Sequence, residues 1–172
     1  MAQQPRVKGL ALVVVLAGLS GCAVSGGFFS SLGQSDPVEV REVRRALACG
    51  SPQDEVALTL MSSPAEYAAW ESQRGAHLYG DATLPAGQYL LVEMGRRKFE
   101  GYGMAISSAA TAKRGLLTLR ATFIEPAAGT DPGGEAVSPC SLIKLPDMAL
   151  ESIELIDEDG DRRATLTLEP QA

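Results

Sequence analysis

Leu116-Leu117-Thr118-Leu119-Arg120-Ala121-Thr122-Phe123-Ile124 decides the fold class. Leu117, Leu119, Ala121 and Phe123 fall on one side of an extended chain, and Thr118, Arg120 and Thr122 on the other. A period of two marks a strand with one face on a core and one in water. Similar strands flank it. Val38-Glu39-Val40-Arg41 alternates, and Val43 breaks the phase, which implies a bend or bulge. Val56, Leu58 and Leu60 alternate with Ala57 and Thr59. Gln88 to Met94 is an almost unbroken apolar run, as expected of a central strand covered on both faces. Tyr102, Met104 and Ile106 alternate, and Leu142 to Leu145 is short and apolar. Glu151 to Asp157 and Arg162 to Glu169 are expected to pair as a hairpin around Asp159-Gly160, with Ile153, Leu155, Ala164, Leu166 and Leu168 facing in.

One helix interrupts the strands. Ser63-Pro64-Ala65-Glu66 is a capping box with proline at the first helical position. Tyr67, Ala69 and Trp70 share a face, and Gly75 supplies the stop. Tyr67 and Trp70 are expected to pack against a sheet. The sum is a mainly β chain: an antiparallel sandwich or partly open barrel with one packed α-helix. Residues 125–138, rich in Gly and Pro, read as a long loop within one domain.

The chain has 172 residues and a formal charge of −6. Its first residues read as an export signal: Arg6 and Lys8, then the apolar run Leu10 to Ala17, too short to span a bilayer at about 20 residues. Small residues Ser20-Gly21 precede Cys22. Leu19-Ser20-Gly21-Cys22 resembles the lipobox of bacterial lipoproteins, in which the cysteine thiol takes a diacylglycerol and the freed amine an acyl chain. The expected organisation is a signal segment at 1–21, a Gly/Ser-rich tether at 22–36 and one domain at 37–170. Phe28 and Phe29 in the tether can rest on a membrane or on the domain. The alternative is an ordinary secreted protein with a coincidental Cys22. Ala23, rather than Asp, follows the cysteine. By resemblance this favours an envelope location on the outer membrane, facing the periplasm. Without Arg6 and Lys8 the charge moves from −6 to −8, which argues against nucleic acid or an anionic bilayer as the main partner.

With Cys22 assigned to the lipid, Cys49 and Cys140 remain as an even pair in an exported domain. They are expected to form a disulfide, the alternative being two free thiols. No catalytic constellation is legible. His77 is the single histidine, lies outside any Ser or Cys motif and reads as a surface or capping residue. No zinc spacing and no phosphate-binding glycine loop is present, so no metal or cofactor is expected. Asp157-Glu158-Asp159-Gly160-Asp161 has the alternating carboxylates of a calcium loop but lacks the downstream glutamate, which favours a hairpin turn.

The distinctive stretch is Tyr89 to Ile106, two apolar strands around Gly95-Arg96-Arg97-Lys98-Phe99-Glu100-Gly101-Tyr102. Its plain form is a hairpin with basic residues for solubility. Its sharper form is a docking loop: Phe99 supplies apolar area, and Arg96, Arg97 and Lys98 meet an acidic protein. This stretch resembles the C-terminal domain of the protease complex subunit PrcB family. The shared pattern is an apolar strand ending in Gly (Leu90 to Gly95), a short loop, Gly101-Tyr102 and an alternating strand. The long strand Leu116 to Ile124 and the segment Ser138-Pro139-Cys140-Ser141-Leu142-Ile143-Lys144-Leu145 follow. The similarity spans residues 88–146. Within the family's Pro-Thr-Gly-Gly-Tyr type loop only Gly101 and Tyr102 carry over. The resemblance implies a non-catalytic subunit that supports an exported protease. Chagasin-like protease inhibitors share the loop's general shape, with an Asn-Pro-Thr-Thr-Gly-Tyr pattern further from this one. The expected function is a lipid-anchored, non-enzymatic protein-binding module, with a peptidase inhibitor or a structural envelope lipoprotein as alternatives.

Overall fold

The computed structural model describes residues 35–80, 83–129 and 133–169. The expected signal segment, Cys22 and the tether as far as residue 34 lie outside the described residues. Asp36, expected as the last tether residue, instead begins the first strand.

The chain forms β1 (Asp36–Glu39), β2 (Arg41–Ala46), β3 (Ala57–Met61), α1 (Pro64–Arg74), β4 (Tyr89–Glu93), β5 (Gly103–Ile106), β6 (Ala109–Lys113), β7 (Leu116–Ile124), β8 (Cys140–Lys144), β9 (Ser152–Ile156) and β10 (Arg162–Thr167). They build two sheets. One runs β1-β6-β7-β9-β10 with β5 also on β7, and the other runs β2-β8-β4-β3. The ladders are antiparallel except β7 with β9. The parallel pair is possible because the chain leaves β7, crosses to the other sheet as β8 and returns before β9. Among the described residues the fold is therefore a β-sandwich carrying one helix, as the strand pattern implies.

Alternation explains the layers. Leu117, Leu119, Ala121 and Phe123 of β7 meet Leu90, Val92, Met94 and Ile143 of the facing sheet to form the inter-sheet core. Tyr89 and Leu91 point the opposite way and join Leu142, Tyr67, Trp70 and the Cys49–Cys140 pair in a second core under α1. β4 is buried along its whole length because both its faces are covered. The corner between sheets lies at Val40: β1 ends at Glu39, the Val40 N–H donates to the Ser108 carbonyl (2.9 Å), and β2 begins in the other sheet. The phase break at Val43 is a bulge, since the β2–β8 register shifts between Glu42 and Arg44.

α1 starts and stops where its local residues dictate. Ser63 Oγ accepts the Glu66 N–H at 3.2 Å, and Glu66 Oε2 accepts the Ser62 N–H at 2.8 Å. Gly75 ends the helix at φ 62, a left-handed conformation that side chains disfavour. Tyr67 and Trp70 are its buried residues. Burial, then the hydroxyl's bond to Glu71 (2.6 Å) and that carboxylate's charge, push the Tyr67 phenol well above its ordinary range.

The stretch 89–106 is not a hairpin. β4 uses both edges, for β3 and for β8, and β5 pairs with β7 in the other sheet. Residues 94–102 are an arch between sheets. A strand buried on both faces needs partners on both edges, so β5 has no edge of β4 to occupy. The sandwich thus acquires two unlike ends. Asp36 pairs with Ala112, which pairs with Leu117 near the start of β7. The arch enters β5 at Gly103, opposite Ile124 at the far end of β7. About 23 Å of strand separates Leu117 from Ile124 at roughly 3.3 Å per residue.

Candidate functional site

The arch begins at Gly95, where φ is 87 and an added Cβ would lie 2.6 Å from the Asp54 carbonyl. Only glycine lets the chain turn this close to segment 53–55. From there Arg96 and Arg97 take different tasks. The Arg96 N–H donates to the Gln53 carbonyl at 2.7 Å, and its guanidinium pairs with Asp54 at 3.0 Å. Both side chains of that pair are more than half exposed (60 % and 73 %), so it contributes at most about 1 kcal/mol and exchanges readily.

Arg97 turns inward. Its Nη2 donates to the Met94 carbonyl (2.6 Å), and its Nη1 to the carbonyls of Asp54 (2.6 Å) and Arg96 (3.0 Å). Its backbone forms a two-way bridge with Val137, at 2.7 and 3.0 Å. Three chain segments are tied by this one residue. Its partners are carbonyls, so no carboxylate neutralises its charge among these contacts. The guanidinium also lies 5.7 Å from the centre of the Tyr102 ring.

Lys98 is left facing outward with Phe99 beside it, while Tyr102 packs against the inter-sheet core. Lys98 is exposed and pairs with no acid among the described residues. Phe99 and Tyr102 are half-buried, with ring centres 5.7 Å apart and planes tilted by 37°. Gly101, at φ 94, lets the chain turn between them. Together with Asp54, Arg96, Arg97 and Ala136 they line an open groove of about 710 Å³. The expected residues Arg96, Arg97, Lys98, Phe99 and Tyr102 therefore come together in one place, with Gly101 as a hinge in the chain. Sequence reasoning missed Asp54 and Ala136, which arrive from distant segments and carry no local signal.

The base of the groove is braced by the disulfide. Cys49 and Cys140, 91 residues apart, are bonded with a Cα separation of 6.0 Å and are almost fully buried. Cys49 N–H donates to Ser138 Oγ (2.9 Å) and O (3.1 Å), Ser138 N–H donates to Leu47 O (2.8 Å), and Met94 N–H donates to Pro139 O (2.8 Å). The Ser138-Pro139-Cys140 segment thus holds the start of the arch. Beneath it Glu93 is 1 % exposed, with Arg74 Nη1 at 3.6 Å and also donating to Gly50 O at 2.7 Å. Glu93 Oε1 and Trp70 Nε1 are buried without a hydrogen-bond partner among the described residues.

The acidic stretch 157–161 resolves as a turn. Asp157 Oδ1 accepts the N–H groups of Asp159 (3.1 Å) and Asp161 (2.8 Å), and Oδ2 accepts Arg163 Nη1 (3.4 Å). Burial alone would raise the Asp157 carboxyl. The Asp161 N–H, the Arg163 guanidinium and the Asp159 N–H outweigh that and hold it below the usual carboxylate range. Its carboxylate serves the loop's own backbone. His77 is exposed at the helix end. No cluster of three or more metal-ligating side chains occurs among the described residues.

What the groove offers chemically is two cations without carboxylate partners, Arg97 and Lys98, beside an aromatic pair. Searches of protein-family models, curated proteins and solved structures found no match to the chain.

Proposed function

We propose that the chain is a lipid-anchored envelope lipoprotein whose β-sandwich acts as a non-catalytic docking module for another protein, in support of an exported protease. The observation that carries this reading is the pinned arch at residues 94–102. Arg97 spends its hydrogen bonds on holding the loop, while Lys98 is exposed and the half-buried Phe99 and Tyr102 line the groove beside it. A loop ordered before binding loses less entropy on association. Aromatic and cationic side chains at the centre of a depression are the usual energetic anchors of protein interfaces.

The anchor fits this reading. Asp36, the first residue of β1, lies at the end of the sandwich opposite the arch. A chain anchored through Cys22 would enter the sandwich at that end. The resemblance of residues 88–146 to the PrcB family supports a protease as the partner. The pinned arch also suits a peptidase inhibitor, and a broad protease panel separates the two: a stabiliser inhibits none.

The test is co-purification from the envelope with the tagged, full-length chain. A protease is expected among the recovered proteins from the unaltered chain and is lost with Phe99→Ala/Lys98→Glu. An unchanged set of partners with the double variant would overturn the docking role of the arch.

A further inference from the structure

We propose that the segment recognised by the groove is an acidic peptide stretch in which a carboxylate lies beside an aromatic or large aliphatic side chain. This inference rests on the docking reading above and assigns the chemistry of the partner.

Four of the groove's lining residues are ionisable at neutral pH: Asp54, Arg96, Arg97 and Lys98. Arg96 and Asp54 cancel as a pair at 3.0 Å. Arg97 bonds to carbonyl oxygens, which satisfy its N–H groups and leave its charge in place. Lys98 has no acidic partner among the described residues. The lining residues therefore sum to +2, which the exposed Glu100 of the same arch lowers toward +1, on a chain whose formal charge is −6. A local excess of this sign attracts anions and repels basic segments, over a range of about 8 Å at physiological salt.

Apolar chemistry sets the second requirement. Phe99 and Tyr102 form a tilted aromatic pair at 5.7 Å, and both remain partly open to solvent. A side chain laid against them removes apolar surface from water on both partners, which favours binding. Lys98 immediately precedes Phe99 in the chain. A carboxylate and an apolar side chain close together in the partner can then engage both at once. A free inorganic anion would gain nothing from the aromatic pair.

Position separates a peptide from an anionic membrane. The groove is concave and sits at the end opposite Asp36. A lipid surface is flat, and the acidic domain as a whole is repelled by anionic headgroups. An extended peptide fits a groove and meets only its local field.

The test uses the full chain reconstituted in neutral phosphatidylcholine vesicles. Three labelled peptides of 12 residues in a Gly/Ser background carry Asp-Phe-Glu, Lys-Phe-Lys or Asp-Ala-Glu at their centre. Anisotropy is expected to show the first binding about tenfold or more tightly than either other, equivalent to 1.4 kcal/mol or more. That preference is expected to fall with added salt, and to fall again with Lys98→Glu. Equal binding of the three, preference for the lysine peptide, or no binding overturns the inference. Clustering of the chain-bearing vesicles by separate anionic phosphatidylglycerol vesicles, abolished by Lys98→Glu, overturns it in favour of a lipid surface. The two readings fail separately. If envelope partners are lost with Phe99→Ala yet unaffected by Lys98→Glu, docking at the arch stands and the acidic segment does not.

Discussion

The arch at 94–102 and the turn at 157–161 both fold one charged side chain inward, with different results. Asp157 bonds to Asp159, Asp161 and Arg163, all within six residues of itself. Arg97 bonds to Met94 and also to Asp54, 43 residues away, and its backbone pairs with Val137. The turn is self-contained and leaves only short acidic side chains outside. The arch is assembled from three segments and leaves Arg96, Lys98 and Glu100 exposed beside the half-buried Phe99. A loop that only closes a hairpin needs local bonds. A loop that presents a surface needs a base brought from elsewhere, and here the disulfide braces it.

The largest effect should therefore come from Cys49→Ala/Cys140→Ala. The chain-entropy model gives a loss of about 4–5 kcal/mol for a loop of this length, measured by urea unfolding. Hydrogen exchange should show faster exchange of amides at 94–102 and 137–140 than in the unaltered chain, with 157–161 unchanged. Equal loss of protection in both loops would break the contrast. Next, Arg97→Ala removes three bonds to carbonyls and should cost about 2 kcal/mol. Arg97→Lys should recover only part of it, because an ammonium lacks the planar fork.

Asp157→Asn sharpens the contrast through pH. The folded carboxyl is held below its unfolded value of 3.8. Its contribution is thus present above that value and is lost as pH falls through the lower folded value. The unaltered chain should exceed Asp157→Asn in stability at pH 6, with the gap narrowing between about pH 4 and pH 2. A gap independent of pH would mean that the carboxylate's charge contributes nothing to the turn. The smallest effect on stability belongs to Phe99→Ala and Lys98→Glu, within about 0.5 kcal/mol each, since neither holds the arch.

Much of this fold is local in origin and hence legible in residues. The alternation of Leu117 to Phe123 places β7, the phase break at Val43 marks a bulge, and Ser63 with Glu66 and Gly75 bounds α1. The double burial of β4 follows from its apolar run. What eluded sequence was pairing at a distance. β4 and β5 are adjacent in the chain and each reads as a strand, yet β3 and β8 occupy both edges of β4. β6, Ala109-Ala110-Thr111-Ala112-Lys113, has alanines where a strand signal needs branched or aromatic residues, and its place is set by β1 and β7. The arch was visible as a basic and aromatic cluster, with Arg96, Arg97 and Lys98 alike. Only the fold divides them into one paired, one held by carbonyl bonds and one outward.

The contrast between the two loops can be put to one measurement. Tagged full-length chains carrying either Phe99→Ala/Lys98→Glu in the arch or Glu158→Ala/Asp159→Ala in the turn are recovered from the envelope beside the unaltered chain, and their bound proteins are compared. The arch variant is expected to lose the proteins that the unaltered chain recovers, and the turn variant to retain them. Retention by the arch variant, or equal loss by both, would contradict that expectation.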